Sequence, residues 1–369
     1  MERQEPTPTD ANEGAVLGNR QIAVAGALAV LALVIIIVGV LFVTSRHPPT
    51  TGPTPTPTAT APGRPTPTPG AQSNTDIFAG GLYADQLNHA VEAEQRLRAA
   101  GETASADLIR EISSKPTAIW LGDQYTVAEL QPLLATYRAD AERLNQTLVF
   151  VTYAVPDRDC GGLSAGGLPR EDYLEWNRAI AEGLRGSGAV VLVEPDSVAQ
   201  LSNDSCAGKS DDRLSVLRET VGILSDAGLT LYLDGGGSHW VDVDVMAERL
   251  WDAGVDKTRG FFTNVSNYYR VDQERAYADE LSARVGDRNY VIDVSRNGNG
   301  WQGHWCNPPG AAIGQAPHVT AGTTGLDALL WVKHPGDSDG ACNGAPAAGQ
   351  WWESNALDLV RNQDNRQEG

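Results

Sequence analysis

The chain has 369 residues and a formal net charge of -19 at pH 7, with only four lysines. Such an acidic chain is repelled by nucleic acid and by anionic lipid headgroups, so its charge argues against both as ligands and favours a neutral substrate.

Residues 22–43 (IAVAGALAVLALVIIIVGVLFV) contain no charged side chain. Twenty-two apolar positions suffice for a helix to cross the roughly 30 Å hydrocarbon layer of a membrane. A cleaved signal peptide is the alternative, but it has a shorter apolar core followed by a small-residue cleavage site. The segment therefore predicts an uncleaved transmembrane helix, with residues 1–21 as a short cytoplasmic tail.

Residues 44–74 are rich in Pro and Thr. This composition favours an extended polyproline II conformation and offers little apolar surface to pack, so the segment is predicted to be a disordered linker. All four cysteines lie beyond it, and an even number of cysteines in an exported domain indicates two disulfides. We therefore expect a single-pass membrane protein whose domain 75–369 is extracellular.

From residue 75 onward, strand-like apolar runs alternate with helical patterns, which is typical of βαβ units around a parallel sheet. The strand-like runs are 117–122, 147–155, 189–195, 230–234, 260–266, 289–295 and 327–332. The helical patterns cover about 126–143, 170–185, 212–227, 241–253, 270–284 and 353–363. The α/β pattern predicts a distorted seven- or eight-stranded parallel β/α barrel.

Four of the apolar runs lead to an aspartate, namely Asp159, Asp196, Asp234 and Asp339. The C-terminal ends of parallel strands surround one mouth, so these carboxylates are expected to converge there. Asp196 follows a strongly apolar strand, where partial desolvation would raise its pKa and suit it to donate a proton. A helix cap or a loop salt bridge is the alternative for Asp196.

Asp159 lies beside Arg158 and Cys160, and Arg158 can pair with one of the nearby carboxylates. A second carboxylate close to Asp196 would help to keep Asp196 protonated. A solvated ion pair in a loop is the alternative for the Asp-Arg-Asp run. Lys333 stands near Asp337 and Asp339 after the last strand, where either a functional cluster or a structural salt bridge fits the pattern.

Several tryptophans lie at strand ends or in loops, where exposed indole rings can stack on sugar faces. They are Trp120, Trp240, Trp301, Trp305 and Trp331. No phosphate-binding loop and no metal-ligand spacing accompanies them, so no cofactor or metal is implied. Carboxylates together with indoles indicate carbohydrate hydrolysis.

Seven sequence motifs follow one another along the chain: Tyr153–Cys160, Val193–Ser197, Tyr232–Gly235, Thr263–Asn267, Val291–Gly300, Trp305–Gly310 and Trp331–Gly340. Together they resemble glycoside hydrolase family six, the inverting cellulases that cut β-1,4-glucans in a distorted barrel. The resemblance spans nearly the whole domain beyond the linker.

The resemblance implies a catalytic role for five residues. Asp196 matches the general acid and Asp159 the neighbour that tunes it. Tyr153 matches a tyrosine that presses on the distorted sugar, and Ser164 a serine that helps to hold the catalytic water. Asp339 matches the remote carboxylate proposed as base, acting through water.

The resemblance and the indole pattern also imply a glucan-binding set. It comprises Trp120, Asp234, Trp240, Asn264, Asn267, Trp305, Lys333 and Asp337, with Asp234 binding or supporting without transferring a proton. The implied disulfides join Cys160 to Cys206 and Cys306 to Cys342. Because both stretches are short, the resemblance favours an endoglucanase with an open cleft over a tunnel-forming cellobiohydrolase.

The chain departs from the family pattern at several positions. Gly237 replaces a usual His, Ala311 a usual Arg, Leu163 a common aromatic residue, and Asp337 a usual Glu. Two alternatives therefore stay open: a glucan-binding surface protein with weak or no turnover, and a hydrolase of a mixed-linkage or envelope polysaccharide. Nothing in the sequence argues for an oligomer, so a monomer is expected.

Overall fold

The computed structural model describes residues 73–364. The predicted cytoplasmic tail, the segment 22–43 and nearly all of the predicted linker lie outside the described residues. Among the residues that are described, no helix combines the length and apolar character needed to span a bilayer.

Within residues 73–364, eight strands form one sheet. They are β1 Ile119–Gly122, β2 Val149–Tyr153, β3 Val190–Val193, β4 Thr230–Asp234, β5 Gly260–Thr263, β6 Asn289–Asp293, β7 His318–Val319 and β8 Leu326–Leu330. The spatial order is β1-β2-β3-β4-β5-β6-β8-β7. All neighbouring strands are parallel except β7, which pairs antiparallel with β8.

Nine α-helices flank this sheet in the described part of the chain. They are α1 Asn74–Ile77, α2 His89–Ala99, α3 Thr103–Ser113, α4 Val127–Leu144, α5 Arg170–Leu184, α6 Ser210–Asp226, α7 Val243–Ala253, α8 Val271–Arg284 and α9 Glu353–Asp364. The last six agree with the sequence prediction to within two residues at each end. Helices α1, α2 and α3 and the short strand β7 were not predicted.

Strand β3 shows why the strands read as continuous apolar runs. Val191 and Val193 pack in the layer between sheet and helices, whereas Val190 and Leu192 point to the inner face of the sheet. Side chains alternate across a strand, and here both faces are buried, so every position must be apolar.

The prediction of a barrel is corrected in one respect: the structure is a half-barrel. The chain leaves the sheet after Leu330, and between β1 and β8 one backbone hydrogen bond forms instead of a ladder, from Ala118 N to Trp331 O at 2.9 Å. The indole of Trp120 lies at this seam and donates to Val332 O at 2.8 Å. The edge strand β7 is only two residues long and lies outside the parallel set.

A buried polar cluster lies at the N-terminal ends of β5, β6 and β8. The Asp327 carboxylate accepts two hydrogen bonds from the Arg259 guanidinium, both at 2.9 Å. It also accepts from Tyr232 Oη at 2.6 Å and from Asn289 Nδ2 at 3.0 Å. Charge-assisted, bidentate hydrogen bonds are the strongest kind in proteins, so this cluster joins several strands firmly.

Gly260→Ala is expected to destabilise the fold, because a Cβ at this first residue of β5 would lie 1.6 Å from Asn289 O. Overpacking of this kind costs about 1–3 kcal/mol, since the two strands must move apart. Gly222→Ala, on α6, is the matched control: its nearest neighbour would be Lys257 Nζ at 3.7 Å. There the same change should stabilise by about 0.5–1 kcal/mol. Urea denaturation of both variants measures the difference; equal effects would contradict the prediction.

Candidate active site

A cleft of about 990 Å³ opens at the C-terminal ends of the parallel strands. This edge of an α/β sheet is where loops from several strands meet, as the run of strand-ending aspartates predicted. The predicted residues that line it are Trp120, Tyr153, Asp159, Ser164, Asp196, Trp240, Asn267, Trp305, Lys333, Asp337 and Asp339. The structure therefore brings most of the predicted set into one site.

Asp196 lies just beyond β3 in a left-handed backbone conformation, with φ 69°. Its carboxyl has no hydrogen-bond partner within residues 73–364 and lines the cleft. Burial, followed by the negative charges of Asp234 and Asp159, raises its pKa well above the ordinary value. A carboxyl that stays protonated and faces a cleft can donate a proton to a bound molecule.

Glu194, two residues before Asp196, fixes this turn to the neighbouring strand. Its buried carboxylate accepts hydrogen bonds from Ala154 N and Val155 N at 3.0 Å and from Tyr173 Oη at 3.1 Å. Those two amides follow directly after β2. The contacts therefore fix the position of the loop after β2 relative to Asp196.

The Asp159 carboxylate holds the loop that faces Asp196. It accepts from Ser164 N at 2.8 Å and from Gln200 Nε2 at 2.6 Å. The Ser164 hydroxyl is shared, at 3.0 Å from Asp159 Oδ2 and 2.9 Å from Tyr153 Oη. Asp159, Ser164 and Tyr153 thus form one continuous hydrogen-bonded chain along the cleft wall.

Arg158 pairs with a carboxylate that sequence reasoning did not identify. Its guanidinium contacts Asp123 Oδ1 at 2.9 Å, lies 4.5 Å from the centre of the Tyr153 ring, and donates to Ser164 O. Asp157, the other acid of this loop, pairs with Lys209 at 3.0 Å. The Asp159 carboxylate therefore has no arginine or lysine partner within residues 73–364 and accepts hydrogen bonds from Ser164 and Gln200.

Both disulfides that the resemblance implied are present. Cys160–Cys206 has a Cα–Cα distance of 5.4 Å, and Cys306–Cys342 one of 6.3 Å. The first joins the residue after Asp159 to the segment beyond Asp196. The second joins the loop of Trp305 to the loop of Asp339. Each bond thus ties together two loops that form the cleft.

The Asp339 carboxylate is surrounded by donors. Arg296 contacts it with both terminal nitrogens, at 3.0 and 2.9 Å, and Lys333 Nζ lies at 3.6 Å. Tyr268 Oη and Asn307 N donate to Oδ2 at 3.1 and 2.9 Å. Burial alone would raise its pKa, but Arg296 and Lys333 outweigh burial and lower it. Asp339 is therefore held as an anion.

Asp337 is bound by two histidines. His89 Nδ1, on α2, lies 2.9 Å from Oδ1, and His334 Nδ1 lies 3.4 Å from Oδ2. His334 Nε2 also faces Ala118 O at 2.7 Å. Because both nitrogens of His334 face acceptors, the protonated imidazolium is favoured there. The sequence alone gave no reason to place His89 in the site.

The pKa values of this triad define a pH range of stabilisation. Burial would raise the Asp337 pKa, but His334 and His89 outweigh it and hold the pKa well below 3.8. Asp337 in turn raises the pKa of His89, chiefly by its hydrogen bond, and outweighs burial to raise that of His334, both above 6.5. The stabilisation is therefore complete between pH 3.8 and 6.5. It is lost as pH rises through the raised histidine values or falls through the lowered aspartate value.

Asp337→Asn is accordingly expected to lower the free energy of unfolding more at about pH 5 than at about pH 9, since the histidines are charged only at the lower pH. Urea denaturation at both pH values measures this. Asp358→Asn is the control, because Asp358 pairs with Arg361 at 3.3 Å and has no histidine partner. An equal loss at both pH values for Asp337→Asn would contradict the prediction.

Two residues of the predicted glucan-binding set do not line the cleft. Asp234 is buried, and its carboxylate accepts from Val198 N, Ala199 N and Gly236 N at 2.9–3.0 Å. Asn264 is also buried, and its amide bonds the backbone of Tyr269 and Asp293. The polar atoms of both side chains are therefore engaged in hydrogen bonds to the backbone. They support the loops behind the site. For Asp234 the sequence allowed either binding or support, and the structure shows support.

Trp331, one of the five tryptophans considered, belongs to the core. It is only 1% exposed and donates to Gln315 O at 2.9 Å. The other four line the cleft, and Trp305 is half exposed. Within residues 73–364, no group of three or more His, Cys, Asp or Glu side chains is placed to hold a metal ion.

The protein is thus an α/β half-barrel with a cleft at the C-terminal ends of its parallel strands. The cleft holds the carboxyl groups of Asp196 and Asp339 together with aromatic rings, which is the arrangement of a carbohydrate hydrolase. Residues 73–363 match the family model of glycosyl hydrolases family 6. The chain belongs to this family.

Three relatives illustrate the similarity. Endoglucanase A of Cellulomonas fimi is 42% identical over 282 residues, which cover 76% of this chain and 61% of that protein. Endoglucanase 1 of Streptomyces halstedii is 35% identical over 292 residues, covering 76% and 88%. The endoglucanase Cel6 of Mycobacterium tuberculosis, in complex with methyl-cellobiosyl-4-deoxy-4-thio-β-D-cellobioside, superposes with a TM-score of 0.72 at 36% identity, covering 77% and 97%.

Proposed function

We propose that the protein hydrolyses internal β-1,4-glucosidic bonds of cellulose or a related β-glucan with inversion, and that Asp196 is the general acid. The observation that carries this proposal is the Asp196 carboxyl itself. It lines the cleft, has no hydrogen-bond partner within residues 73–364, and has a pKa raised by burial and by neighbouring carboxylates. These are the properties that a proton donor to a glycosidic oxygen requires.

In the proposed reaction, Asp196 transfers its proton to the leaving glycosidic oxygen as the bond from that oxygen to C1 breaks. A water molecule attacks C1 from the opposite face and loses a proton to a base. The hydroxyl of Ser164 and the phenol of Tyr153, which are 2.9 Å apart, are placed to orient this water. Asp159 keeps both hydroxyls in position through its contact with Ser164.

Asp339 is proposed to receive the water proton through an intervening water. Its ionised state supports this role, since a base must be unprotonated. Its lowered pKa and its four donor groups make it a weak base, which fits transfer through water better than direct contact. The same charge holds Lys333 at the cleft wall, 3.6 Å away.

Internal cleavage is proposed because the two disulfide-closed segments beside the cleft are short, with sequence separations of 46 and 36. Cys306 and Cys342 are only 36 positions apart. Trp305 directly precedes the segment that this disulfide closes, and Asp339 lies near its end. The endoglucanase names of the relatives described above support the same choice.

We also propose that the enzyme works outside the cell as a monomer, attached to the membrane through residues 22–43. The apolar, uncharged character of that segment and the Pro/Thr-rich stretch that follows it support this placement. The two disulfides of the catalytic domain are consistent with an oxidising compartment.

The test is to incubate the protein with soluble β-1,4-glucan, to measure reducing sugar, and to follow the anomeric protons by NMR. Inverting cleavage gives the α-anomer first. A β-anomer as first product would contradict the mechanism. If glucan binds without any release of reducing sugar, the alternative of a glucan-binding surface protein replaces the enzyme. Release from mixed-linkage glucan alone would change the substrate but keep the reaction.

A further inference from the structure

Three aromatic rings form a continuous stack along one wall of the cleft. The rings of Tyr269 and Trp301 are nearly parallel, with 5.1 Å between centroids and 7° between planes. The His239 imidazole covers Tyr269 at 4.8 Å and 38°. All three residues line the cleft. We call His239, Tyr269 and Trp301 the ring stack.

The middle ring is held by buried amides. Tyr269 O accepts from Asn264 Nδ2 at 3.1 Å and from Asn297 Nδ2 at 3.0 Å, and Tyr269 N donates to Asn264 Oδ1 at 3.3 Å. Both asparagines are nearly inaccessible to solvent. Because these contacts fix the backbone, Tyr269 presents its ring at a set position, and Trp301 rests on a rigid base.

The first ring is held in an uncommon backbone conformation. His239 has φ 67°, a left-handed value that side-chain-bearing residues seldom adopt. The preceding residue, Ser238, donates from both its amide and its hydroxyl to the buried Glu274 carboxylate. Strained backbone that is fixed by its surroundings occurs preferentially at binding sites.

The last ring is open to the cleft. Trp301 is 39% exposed although Tyr269 covers one of its faces. A flat indole with one face supported and the other accessible suits the apolar face of a pyranose ring. What distinguishes Trp301 from other exposed apolar side chains is that it lines the cleft and rests on Tyr269.

We propose that the ring stack is an additional sugar-binding platform, on which Trp301 stacks against one further glucosyl unit of a long β-glucan chain. This inference rests on the proposed function, because it assumes a glucan in the cleft. The platform makes affinity depend on chain length, since only oligosaccharides long enough to extend from the catalytic carboxylates to Trp301 gain the stacking contact. His239 adds an imidazole edge that can bond a sugar hydroxyl.

The test is titration calorimetry with cello-oligosaccharides of increasing length, in an Asp196→Asn background that prevents turnover. Trp301→Ala is expected to weaken binding of the longest oligosaccharide roughly tenfold and to leave the shortest nearly unchanged, as loss of one stacking contact implies. Tyr269→Phe preserves the stack and should bind like the parent. Trp251→Ala is the matched control, because this indole lies on α7 and donates to Arg284 O, away from the cleft lining.

An unchanged affinity of Trp301→Ala for the longest oligosaccharide overturns the platform, as does an equal loss in Trp251→Ala. A loss of thermal stability with unchanged length dependence also overturns it, because the stack would then only support its loop. Failure of the proposed function is distinguishable: the wild type then releases no sugar from any glucan, while the length dependence of binding is still measured in the Asp196→Asn background.

Discussion

Asp196→Asn is expected to lower kcat on soluble β-glucan by roughly 10²–10⁴-fold, the usual contribution of a general acid. The carboxamide has nearly the same shape as the carboxyl but no acidic proton. The Asp196 side chain has no hydrogen-bond partner within residues 73–364, so the substitution removes a proton without breaking an internal contact. Initial rates of reducing-sugar release measure the effect, and KM should change little.

The pH profile gives a second readout of the same substitution. Because the pKa of Asp196 is raised, the alkaline limb of the wild-type pH profile should fall at that raised value and not near the ordinary pKa of a carboxyl. This alkaline limb should be missing from the residual activity of Asp196→Asn.

The control for Asp196→Asn is Asp157→Asn. Asp157 is in the loop of Asp159, has φ 52° and pairs with Lys209 at the surface. Asparagine tolerates such backbone angles, so this variant should keep its activity within about twofold. Retention of more than about a tenth of wild-type activity by Asp196→Asn would refute its role as the acid.

Asp327→Ala is expected to destabilise the domain by about 3–5 kcal/mol, the usual result of removing one partner of a buried ion pair. The change removes the buried carboxylate that the partly buried Arg259 guanidinium contacts, and with it the acceptor of Tyr232 and Asn289. The denaturation midpoint in urea should fall accordingly, with little change in the slope of the transition.

Asp107→Ala is the matched control for this stability effect. Asp107 also pairs with an arginine, Arg98, at 3.1 Å, but its side chain is 65% exposed. An exposed pair contributes little to stability, because solvent screens it. Equal losses in the two variants would show that the Asp327 cluster does not hold the strands as described.

Regular elements with a strong apolar pattern were predictable from sequence. Helix α5 was located because Tyr173, Trp176, Ile180 and Leu184 recur at helical spacing, and all four are buried in the structure. Helix α2 was missed because two of its four buried residues, Ala90 and Ala93, are alanines, so only Val91 and Leu97 contribute to an apolar pattern. Strand β7 has two residues and no pattern at all.

The proposed catalytic carboxylates were predictable as one group because topology alone brings them together. Asp159, Asp196 and Asp339 follow parallel strands, so the fold places them at the same edge. Their partners were not predictable, because they come from distant parts of the chain. His89 is 248 positions from Asp337, and Arg296 is 43 positions from Asp339. No spacing in the sequence encodes such contacts.

Asp234 and Asn264 show the other limit of sequence reasoning. Both residues stand at strand ends, as binding residues do, yet each turns its polar atoms toward nearby backbone groups. Whether a short polar side chain faces ligand or backbone depends on the path of the next few residues. That path is decided by the packing of neighbouring loops and not by the residue types themselves.

The Asp327 cluster has a consequence for how this protein can be altered. It joins the strands at the end opposite to the cleft, so this part of the sheet's cohesion does not involve the loops that form the cleft. Loop exchange or insertion at the cleft can therefore change which polysaccharide fits while the scaffold stays folded. Stability could then be improved by substitutions around the Asp327 cluster, and substrate selectivity changed separately by substitutions in the cleft loops.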